Sequence, residues 1–191
     1  MKRLTAALLC AMMLFSFPAC SQKDANDGGT EQDENYVVYE AIFLDNGEIL
    51  DIFSDVRGDE APFEQVTKDF HVTTNFMPEK DSHELYGEKA EIHITGYKCA
   101  EVKDDDGGMT ANEGLCVTIS CEDAALQRHI DSLDNNWHIT GAYKDAAKYT
   151  GYIDFSDAQP VDYTVTGTFG GSMSSGEIVF DPEEAEALLN D

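Results

Sequence analysis

The feature that most constrains the fold of this chain is an order of elements that occurs twice. Each copy has a histidine, a threonine two residues later, and then a second strand pattern that carries a Thr-Gly pair. The spacing from His71 to Thr95 in the first copy is close to the spacing from His138 to Thr166 in the second. We therefore expect two similar half-domains that build one domain together.

The histidine and the threonine of each copy are expected to share one face of a strand. Side chains alternate along a strand, so a residue and its second neighbour lie on the same face about 6 to 7 Å apart. His71 and His138 would then supply imidazoles for acid and base chemistry, and Thr73 and Thr140 would supply hydroxyls that bind an oxyanion. The sequence predicts a phosphodiester-handling site with no metal or other cofactor, in which the histidines are catalytic and the threonines bind substrate.

A third string of the same type, His93-Ile94-Thr95, competes with these two. The repeat aligns His93 with Thr164, because both stand on the second strand of their half-domain. We therefore leave His93 out of the predicted site.

Apolar spacing predicts the remaining elements. We expect strands at residues 36–44, 49–53, 71–76, 90–97, 115–119, from 137, at 161–169 and at 178–180. A tight turn is expected at Asp45-Asn46-Gly47, and a short helix or irregular turn at residues 62–70. Ser120 is the expected N-cap of a helix that carries Leu126, Ile130 and Leu133 on one face, and Asp181 opens a short acidic helix.

Several short motifs in this order resemble the two-histidine (2H) phosphoesterase superfamily over approximately residues 36–171. The family signature is a pair of histidine-hydrophobe-threonine/serine-hydrophobe motifs. The fourth position departs from it in both copies, being Thr74 and Gly141. The motifs that carry the resemblance are His71-Val72-Thr73 with Asn75-Phe76-Met77-Pro78, Ile94-Thr95-Gly96-Tyr97, Asn112-Glu113-Gly114-Leu115, His138-Ile139-Thr140, and Val165-Thr166-Gly167-Thr168-Phe169-Gly170.

The resemblance implies an α+β fold, a bilobed pseudo-two-fold arrangement of antiparallel sheets with a few short helices. It also implies chemistry on a 2',3'-cyclic phosphate or a similar phosphodiester, so the expected ligand is a small phosphodiester or nucleotide. Unperturbed histidine titrates near pH 6.5, so one imidazole can be neutral while a bound phosphate keeps the other protonated. The neutral imidazole would take a proton from water, and the charged one would protonate the departing oxygen.

The first residues are typical of export. Lys2 and Arg3 precede an apolar run at residues 4–17 that is too short to span a bilayer comfortably, and the run is followed by Pro18, Ala19 and Cys20. This stretch resembles a bacterial lipoprotein signal with Cys20 as the lipidated residue. We expect an exported, extracytoplasmic protein anchored to the membrane by its lipid, with simple secretion as the alternative.

The sequence then divides into four parts. Residues 1–19 are the expected signal peptide, and residues 20–35 contain so few apolar side chains that we expect a disordered acidic tether. Residues 36–180 form the expected 2H phosphoesterase-like domain, and residues 181–191 form the short acidic C-terminal helix.

The chain is strongly acidic. Its formal net charge is −26, and removal of residues 1–19 takes away two basic residues and no acid, which gives −28. Proteins that bind duplex DNA or long RNA use lysine and arginine to displace counterions. We therefore expect neither as a partner, whereas a short phosphate ester remains compatible because salt screens the distant field.

Three cysteines remain in the expected domain, Cys99, Cys116 and Cys121. A hairpin around Asp106-Gly107-Gly108 would set Cys99 opposite Cys116, so the sequence allows either a cross-strand disulfide or unpaired thiols.

Three functions therefore stay open. The first is a lipid-anchored phosphodiesterase for cyclic or short nucleotide esters. The second is a binding module of the same fold without catalysis, which the fourth motif positions favour. The third is an unrelated β-rich lipoprotein domain, for which His71 and His138 would lie far apart.

Overall fold

Eight strands and three α-helices make up the part of the chain that the computed structural model describes, residues 35–58, 60–133 and 136–190. The strands are β1 (Val37–Phe43), β2 (Gln65–Val66), β3 (His71–Phe76), β4 (Lys89–Lys103), β5 (Met109–Cys121), β6 (His138–Tyr143), β7 (Gln159–Met173) and β8 (Ile178–Val179). The helices are α1 (Asn46–Arg57), α2 (Ala124–Asp131) and α3 (Pro182–Asn190), with short 3-10 helices at His83–Leu85 and Ala147–Tyr152. The expected α+β class with a few short helices is confirmed.

All eight strands belong to one antiparallel sheet. Its order is β2-β6-β5-β4-β7-β1-β3, and β8 pairs with β7. The long strands β4 and β7 are neighbours in the middle. Strands β3 and β6 stand near opposite ends of this order, yet they also contact each other. The sheet therefore curls enough to bring together the two strands that begin with His71 and His138.

The core lies between one face of this sheet and the helices. Its buried members include Ile49 and Phe53 from α1, Leu126 from α2, and Val72 and Ile139 from the two histidine strands. Because side chains alternate along a strand, burial of Val72 and Ile139 turns their neighbours toward the opposite face. That face is where the candidate site is built.

Residues 46–57 form a helix where the sequence predicts a turn and a strand. Asp45 is the N-cap, and its carboxylate accepts a hydrogen bond of 2.9 Å from the Glu48 main-chain N–H. Ile49, Ile52 and Phe53 are buried at helical spacing. The predicted turn at Asp45-Asn46-Gly47 and the strand at residues 49–53 are therefore wrong, because the cap and the spacing outweigh the turn preference of Asn-Gly.

Of the two structures expected at residues 62–70, a short helix or an irregular turn, the helix is not formed. This segment contains β2, which pairs with β6, and Thr67 follows it. Both the main-chain N–H and the hydroxyl of Thr67 donate to the Gly141 carbonyl, each at 3.0 Å. The segment thus runs along β6 before the chain enters β3. Its hydrogen bonds connect the start of β3, the strand of His71, to β6, the strand of His138.

Most other predicted elements are confirmed. Strands at residues 36–44, 71–76, 90–97, 115–119, 161–169 and 178–180 correspond to β1, β3, β4, β5, β7 and β8, and the acidic C-terminal helix is α3. Helix α2 is present, but its N-cap is Asp123, whose carboxylate accepts from the N–H groups of Ala125 and Leu126 at 2.8 Å. Ser120, the predicted cap, lies in β5. β7 extends through Gly170 and Gly171, past the predicted end at residue 169.

The cysteine pairing across the β4–β5 hairpin differs from the prediction. Cys99 lies opposite Glu113, and Cys116 lies opposite Gly96, because the hairpin is centred on Asp106, with Lys103 paired to Met109, and not between Gly107 and Gly108. Cys99, Cys116 and Cys121 are free thiols. The disulfide that the sequence allowed is therefore not formed.

The predicted signal peptide at residues 1–19, the predicted lipidation site Cys20 and all of the tether except Asn35 lie outside the described residues. Within the described ranges, no helix has the length and apolar character needed to cross a membrane.

Candidate functional site

The four side chains predicted from the sequence line one cleft. Its volume is about 210 Å³, and it lies between β3, which provides His71 and Thr73, and β6, which provides His138 and Thr140. We call this space the histidine cleft. The remaining lining residues are Tyr39, Thr67, Phe76, Ala147 and Lys148.

Strand alternation explains why these side chains share the cleft. Val72 and Ile139 are completely buried in the core, whereas the residues on either side of each are partly exposed. A histidine and a threonine of the same strand therefore point away from the core together. The curl of the sheet then brings the two strands into contact. His71 and His138 therefore line the same cleft and do not lie far apart.

Each histidine is fixed by the main chain just before it. The Nδ1 atom of His71 lies 2.7 Å from the Asp69 carbonyl oxygen, and the Nδ1 atom of His138 lies 2.7 Å from the Asn136 carbonyl oxygen. A carbonyl oxygen only accepts, so each Nδ1 carries the hydrogen. This assigns the same tautomer to both rings and leaves Nε2 as the basic nitrogen of each neutral imidazole.

Burial makes both imidazoles weaker bases than usual. The pKa of His71 is lowered from its ordinary value of 6.5, chiefly by desolvation and further by the charge of His138, against the raising effect of the Asp69 carbonyl. The pKa of His138 is likewise lowered by desolvation, and its carbonyl bond to Asn136 opposes the shift. Both rings are therefore mainly neutral at pH 7, and protonation of one disfavours protonation of the other.

The two rings have different neighbours. Tyr39 stacks on His71 with the ring centres 5.0 Å apart and the planes inclined by 21°, and Phe43 lies 5.7 Å from the same ring. His138 instead faces Gly151, where an added Cβ would lie 3.4 Å from its Cε1 atom. The cleft is thus lined by aromatic rings beside the first histidine and by the 3-10 helix at Ala147–Tyr152 beside the second.

The two departures from the family motif have structural reasons. Thr74 is buried, and its hydroxyl donates a 3.0 Å hydrogen bond to the Glu40 carbonyl. At Gly141 an added Cβ would lie 2.6 Å from the Phe53 ring and 2.5 Å from the Glu113 carboxylate. A buried hydroxyl with an acceptor fits the first site, and only glycine fits the second without repacking.

His93 stands apart from the cleft. It lies on β4 directly opposite Thr164 of β7, with Thr164 Oγ1 3.1 Å from His93 Nδ1. Its side chain is half exposed and approaches Glu91 at 3.2 Å. The exclusion of this third His-x-Thr string from the predicted site agrees with its position.

Sequence reasoning missed five lining residues. Phe76 was part of the motif that carried the resemblance, but nothing marked its side chain as exposed. Tyr39 lies in a predicted strand that is rich in aromatic and apolar residues, so nothing in the sequence distinguished it as a lining residue. Lys148 lies in a segment for which the sequence predicted no element, and no pattern singled it out. It pairs with Asp105 at the tip of the β4–β5 hairpin, and the Tyr152 hydroxyl donates to the same carboxylate at 3.2 Å.

No group of three or more histidine, cysteine or carboxylate side chains is close enough to hold a metal ion in the ranges 35–58, 60–133 and 136–190. Comparison of the chain with protein-family models, with curated proteins and with solved structures gave no match.

Proposed function

We propose that this protein is a phosphodiesterase of the two-histidine type that acts on a cyclic or short nucleotide phosphodiester. The observation that carries the proposal is the histidine cleft, in which His71 and His138 share one tautomer and each has a threonine two residues further along its strand. Two basic nitrogens and two hydroxyls around one small space are the groups that acid and base catalysis at phosphorus requires.

The arrangement of elements supports a 2H-like fold with two pseudo-symmetric halves. The order β1, α1, β3, β4 is followed by β5, α2, β6, β7, if the short β2 is set aside. A two-fold axis between the central strands β4 and β7 would exchange β1 with β5 and β3 with β6, which agrees with the strand order. It would pass through the paired residues His93 and Thr164, which the sequence repeat aligns with each other.

Buried side chains also correspond between these halves. Glu40 on β1 and Glu113 on β5 are both completely buried carboxylates in strands that the axis would exchange. Each accepts a hydrogen bond from a main-chain N–H, that of Ser82 for Glu40 and that of Ala142 for Glu113. Such agreement at buried charged positions supports the repeat more strongly than apolar matches would, because buried carboxylates are rare.

The proposed reaction needs one neutral and one protonated imidazole. The neutral Nε2 takes a proton from water as the water oxygen forms a bond to phosphorus. The bond from phosphorus to the ribose oxygen then breaks, and the protonated Nε2 of the other histidine gives its proton to that oxygen. Thr73 and Thr140 donate hydrogen bonds to the non-bridging oxygens, where negative charge increases in the transition state.

The substrate itself supplies the condition for this division of roles. Burial lowers the pKa of both histidines. A bound phosphodiester anion favours the charged form of whichever imidazole it contacts, and that charge then lowers the pKa of the second imidazole. On the exported, lipid-anchored chain that the N-terminal sequence predicts, such a site would act on nucleotides outside the cytoplasm.

The direct test is the hydrolysis of a 2',3'-cyclic nucleotide by His71→Ala and His138→Ala variants. Each loses one proton-transfer group, so kcat should fall by about 10² to 10⁴-fold. His93→Ala is the matched control, because it removes the histidine of the third His-x-Thr string, which lies outside the cleft. The kcat of this variant should equal that of the unaltered protein. Thermal melting of all three variants establishes that they fold.

Hydrolysis that is equal in all four proteins would contradict the proposal. A thermal shift with 2',3'-cyclic nucleotide in the absence of any turnover would instead favour the inactive binding module. In that case the shift should vanish in a Thr73→Val/Thr140→Val double variant, because these hydroxyls line the space that the ligand would fill.

A further inference from the structure

The histidine cleft is too small to enclose a whole nucleotide. Its volume is about 210 Å³, whereas pockets that bury most of a drug-sized ligand occupy about 300 to 1,000 Å³. A phosphodiester and part of its sugar fit between the two histidines. Any further part of the substrate must therefore lie on the rim.

The rim is aromatic on one side only. Phe76 lines the cleft at the end of β3, and its side chain is 69% exposed, the largest exposed fraction among the large hydrophobic residues of the described ranges. Tyr39 is its cross-strand neighbour and already stacks on His71. The opposite side of the rim, from the 3-10 helix at Ala147–Tyr152, contributes Ala147 and the cation of Lys148.

The backbone keeps the Phe76 ring in this exposed position. The register of β1 with β3 shifts between Glu40 and Ala41, just before the strand reaches Phe76. Met77 follows with a φ of 50°, a left-handed conformation that is unfavourable for a long side chain. Its N–H is nevertheless fixed by a 2.8 Å hydrogen bond to the Val38 carbonyl. The exposed ring is thus presented by an ordered strand end and not by a loose loop.

We propose that Phe76 is a specificity-determining residue whose ring stacks on the base of the substrate, so that the substrate class is nucleoside phosphodiesters rather than phosphodiesters of sugars or glycerol. The inference rests on the proposed function. A flat ring at the rim can stack on any base, because every base has a π-face, and it makes no hydrogen bonds that would tell one base from another. The substrate would therefore need a nucleobase, and any of the four common bases would be accepted.

The test compares two substrates that differ only in the base. One is adenosine 2',3'-cyclic phosphate, and the other is methyl β-ribofuranoside 2,3-cyclic phosphate, which keeps the ring phosphate and lacks the base. Phe76→Ala should lower kcat/KM for the nucleotide by about 5- to 150-fold, the range that corresponds to loss of one stacked base. Phe76→Ala should leave kcat/KM for the ester without a base unchanged. Phe76→Trp should retain activity on the nucleotide.

Met109→Ala is the matched control, because Met109 is an apolar side chain of comparable exposure, 55%, that does not line the cleft. It should change neither rate. A Phe76→Ala variant that slows both substrates equally, or neither, would overturn the inference while leaving the proposed hydrolysis intact.

A binding measurement separates this inference from the proposed function. If the unaltered protein hydrolyses neither ester, titration with adenosine 2'-monophosphate and with inorganic phosphate replaces the rates. Weaker binding of the nucleotide alone by Phe76→Ala then supports the stacking role although hydrolysis fails. Equal nucleotide binding by Phe76→Ala and the unaltered protein, or no binding by the unaltered protein, overturns it.

Discussion

At the scale of single residues, the chemistry of the cleft depends on two opposing effects on each imidazole. Hydrogen bonds to the carbonyls of Asp69 and Asn136 raise the pKa values of His71 and His138, and desolvation lowers them by more. The carbonyl bonds still have a decisive role, because they fix the tautomer. In the proposed reaction, each ring would act as a base at Nε2, and as an acid once a bound anion favours its protonated form.

For the proposed hydrolysis, this balance predicts two different pH optima, one for kcat/KM and one for kcat. kcat/KM reports the ionisation of the free enzyme, in which both histidine pKa values lie below 6.5, so its maximum should fall below pH 6.5. kcat reports the bound state, in which the substrate anion raises one pKa, so its maximum should lie at higher pH. Initial rates from about pH 5 to 9 give both profiles.

The same shifts fix the sign of the effect on stability. In the folded state each histidine resists protonation, so below pH 6.5 the unfolded chain takes up protons that the folded chain does not, and stability falls as the pH falls.

The control for the two pH–rate profiles is His93→Ala, which should leave the profiles of kcat and kcat/KM unchanged. A maximum of kcat/KM above pH 6.5, or optima that coincide, would contradict the assigned direction of the pKa shifts.

At the scale of elements, a buried ion pair fastens α1 to the strands behind the cleft. Arg57 in the last turn of α1 places its Nε 2.7 Å from an oxygen of Glu113 on β5, and the two side chains are 10% and 0% exposed. The other Glu113 oxygen accepts from the Ala142 N–H of β6 at 2.8 Å, and the Tyr97 hydroxyl donates to the carboxylate at 3.1 Å. One carboxylate thus joins a helix to three strands, including the strand of His138.

Removal of Arg57 should therefore destabilise the whole domain. Arg57→Met leaves the buried Glu113 charge without its cation, which costs about 3 to 5 kcal/mol at pH 7. Burial already raises the pKa of Glu113, and loss of Arg57 raises it further, so the cost should shrink as the pH falls and the carboxyl takes up a proton. Urea unfolding at pH 7 and at a lower pH measures both effects.

The double variant Arg57→Met/Glu113→Gln is the control for this prediction. It removes the buried charge together with its partner and should recover part of the lost stability at pH 7. A loss in Arg57→Met that is the same at both pH values would show that the ion pair is not its cause.

At the scale of the whole molecule, the net charge of −26 opposes the approach of the anionic ligand that the cleft is proposed to bind. The repulsion is long-ranged and therefore depends on salt, since the screening length falls from about 30 Å at 0.01 M to about 8 Å at 0.15 M ionic strength. Contacts inside the cleft are short-ranged and are screened much less. The affinity for an anionic ligand then depends on attractive contacts inside the cleft, and repulsion by the net negative charge of the whole protein reduces it.

Added salt should therefore strengthen nucleotide binding. KM or Kd for a 2',3'-cyclic nucleotide should decrease as sodium chloride rises over this range, which is opposite to the trend of proteins that bind nucleic acids through basic patches. Adenosine, which carries no phosphate, should show no such trend. Weaker binding at higher salt would mean that Lys148 at the rim outweighs the field of the remaining charges.

The parts of the site that depend on alternation along one strand were predictable from the sequence. Alternation along one strand places His71, Thr73, His138 and Thr140 on one face. The repeat set aside His93, which lies outside the cleft. The rim was not predictable, because the exposure of Phe76 depends on a register shift in β1 and on the backbone at Met77. Neither feature leaves a mark in a single sequence.

The errors in the predicted fold also arise where a local sequence pattern does not determine the structure. The Asn46-Gly47 pair favours a turn locally, but the Asp45 cap and the burial of Ile49 and Phe53 favour α1. Cys99 does not face Cys116 because the hairpin is centred on Asp106, with Lys103 paired to Met109, and not between Gly107 and Gly108. Local patterns predict elements well, whereas the register of pairing depends on the exact position of a turn, which these patterns do not define.

The contact between β3 and β6 links ligand occupancy to the integrity of the sheet. A ligand that touches both histidines connects strands from opposite ends of the strand order, so fraying of either strand breaks the site, and an occupied site opposes fraying. By mass action a ligand at 100 times its Kd adds about 2.7 kcal/mol to the stability of the folded state. Small molecules that suit the cleft should therefore reveal themselves by how strongly they protect this protein from unfolding, before any reaction is known.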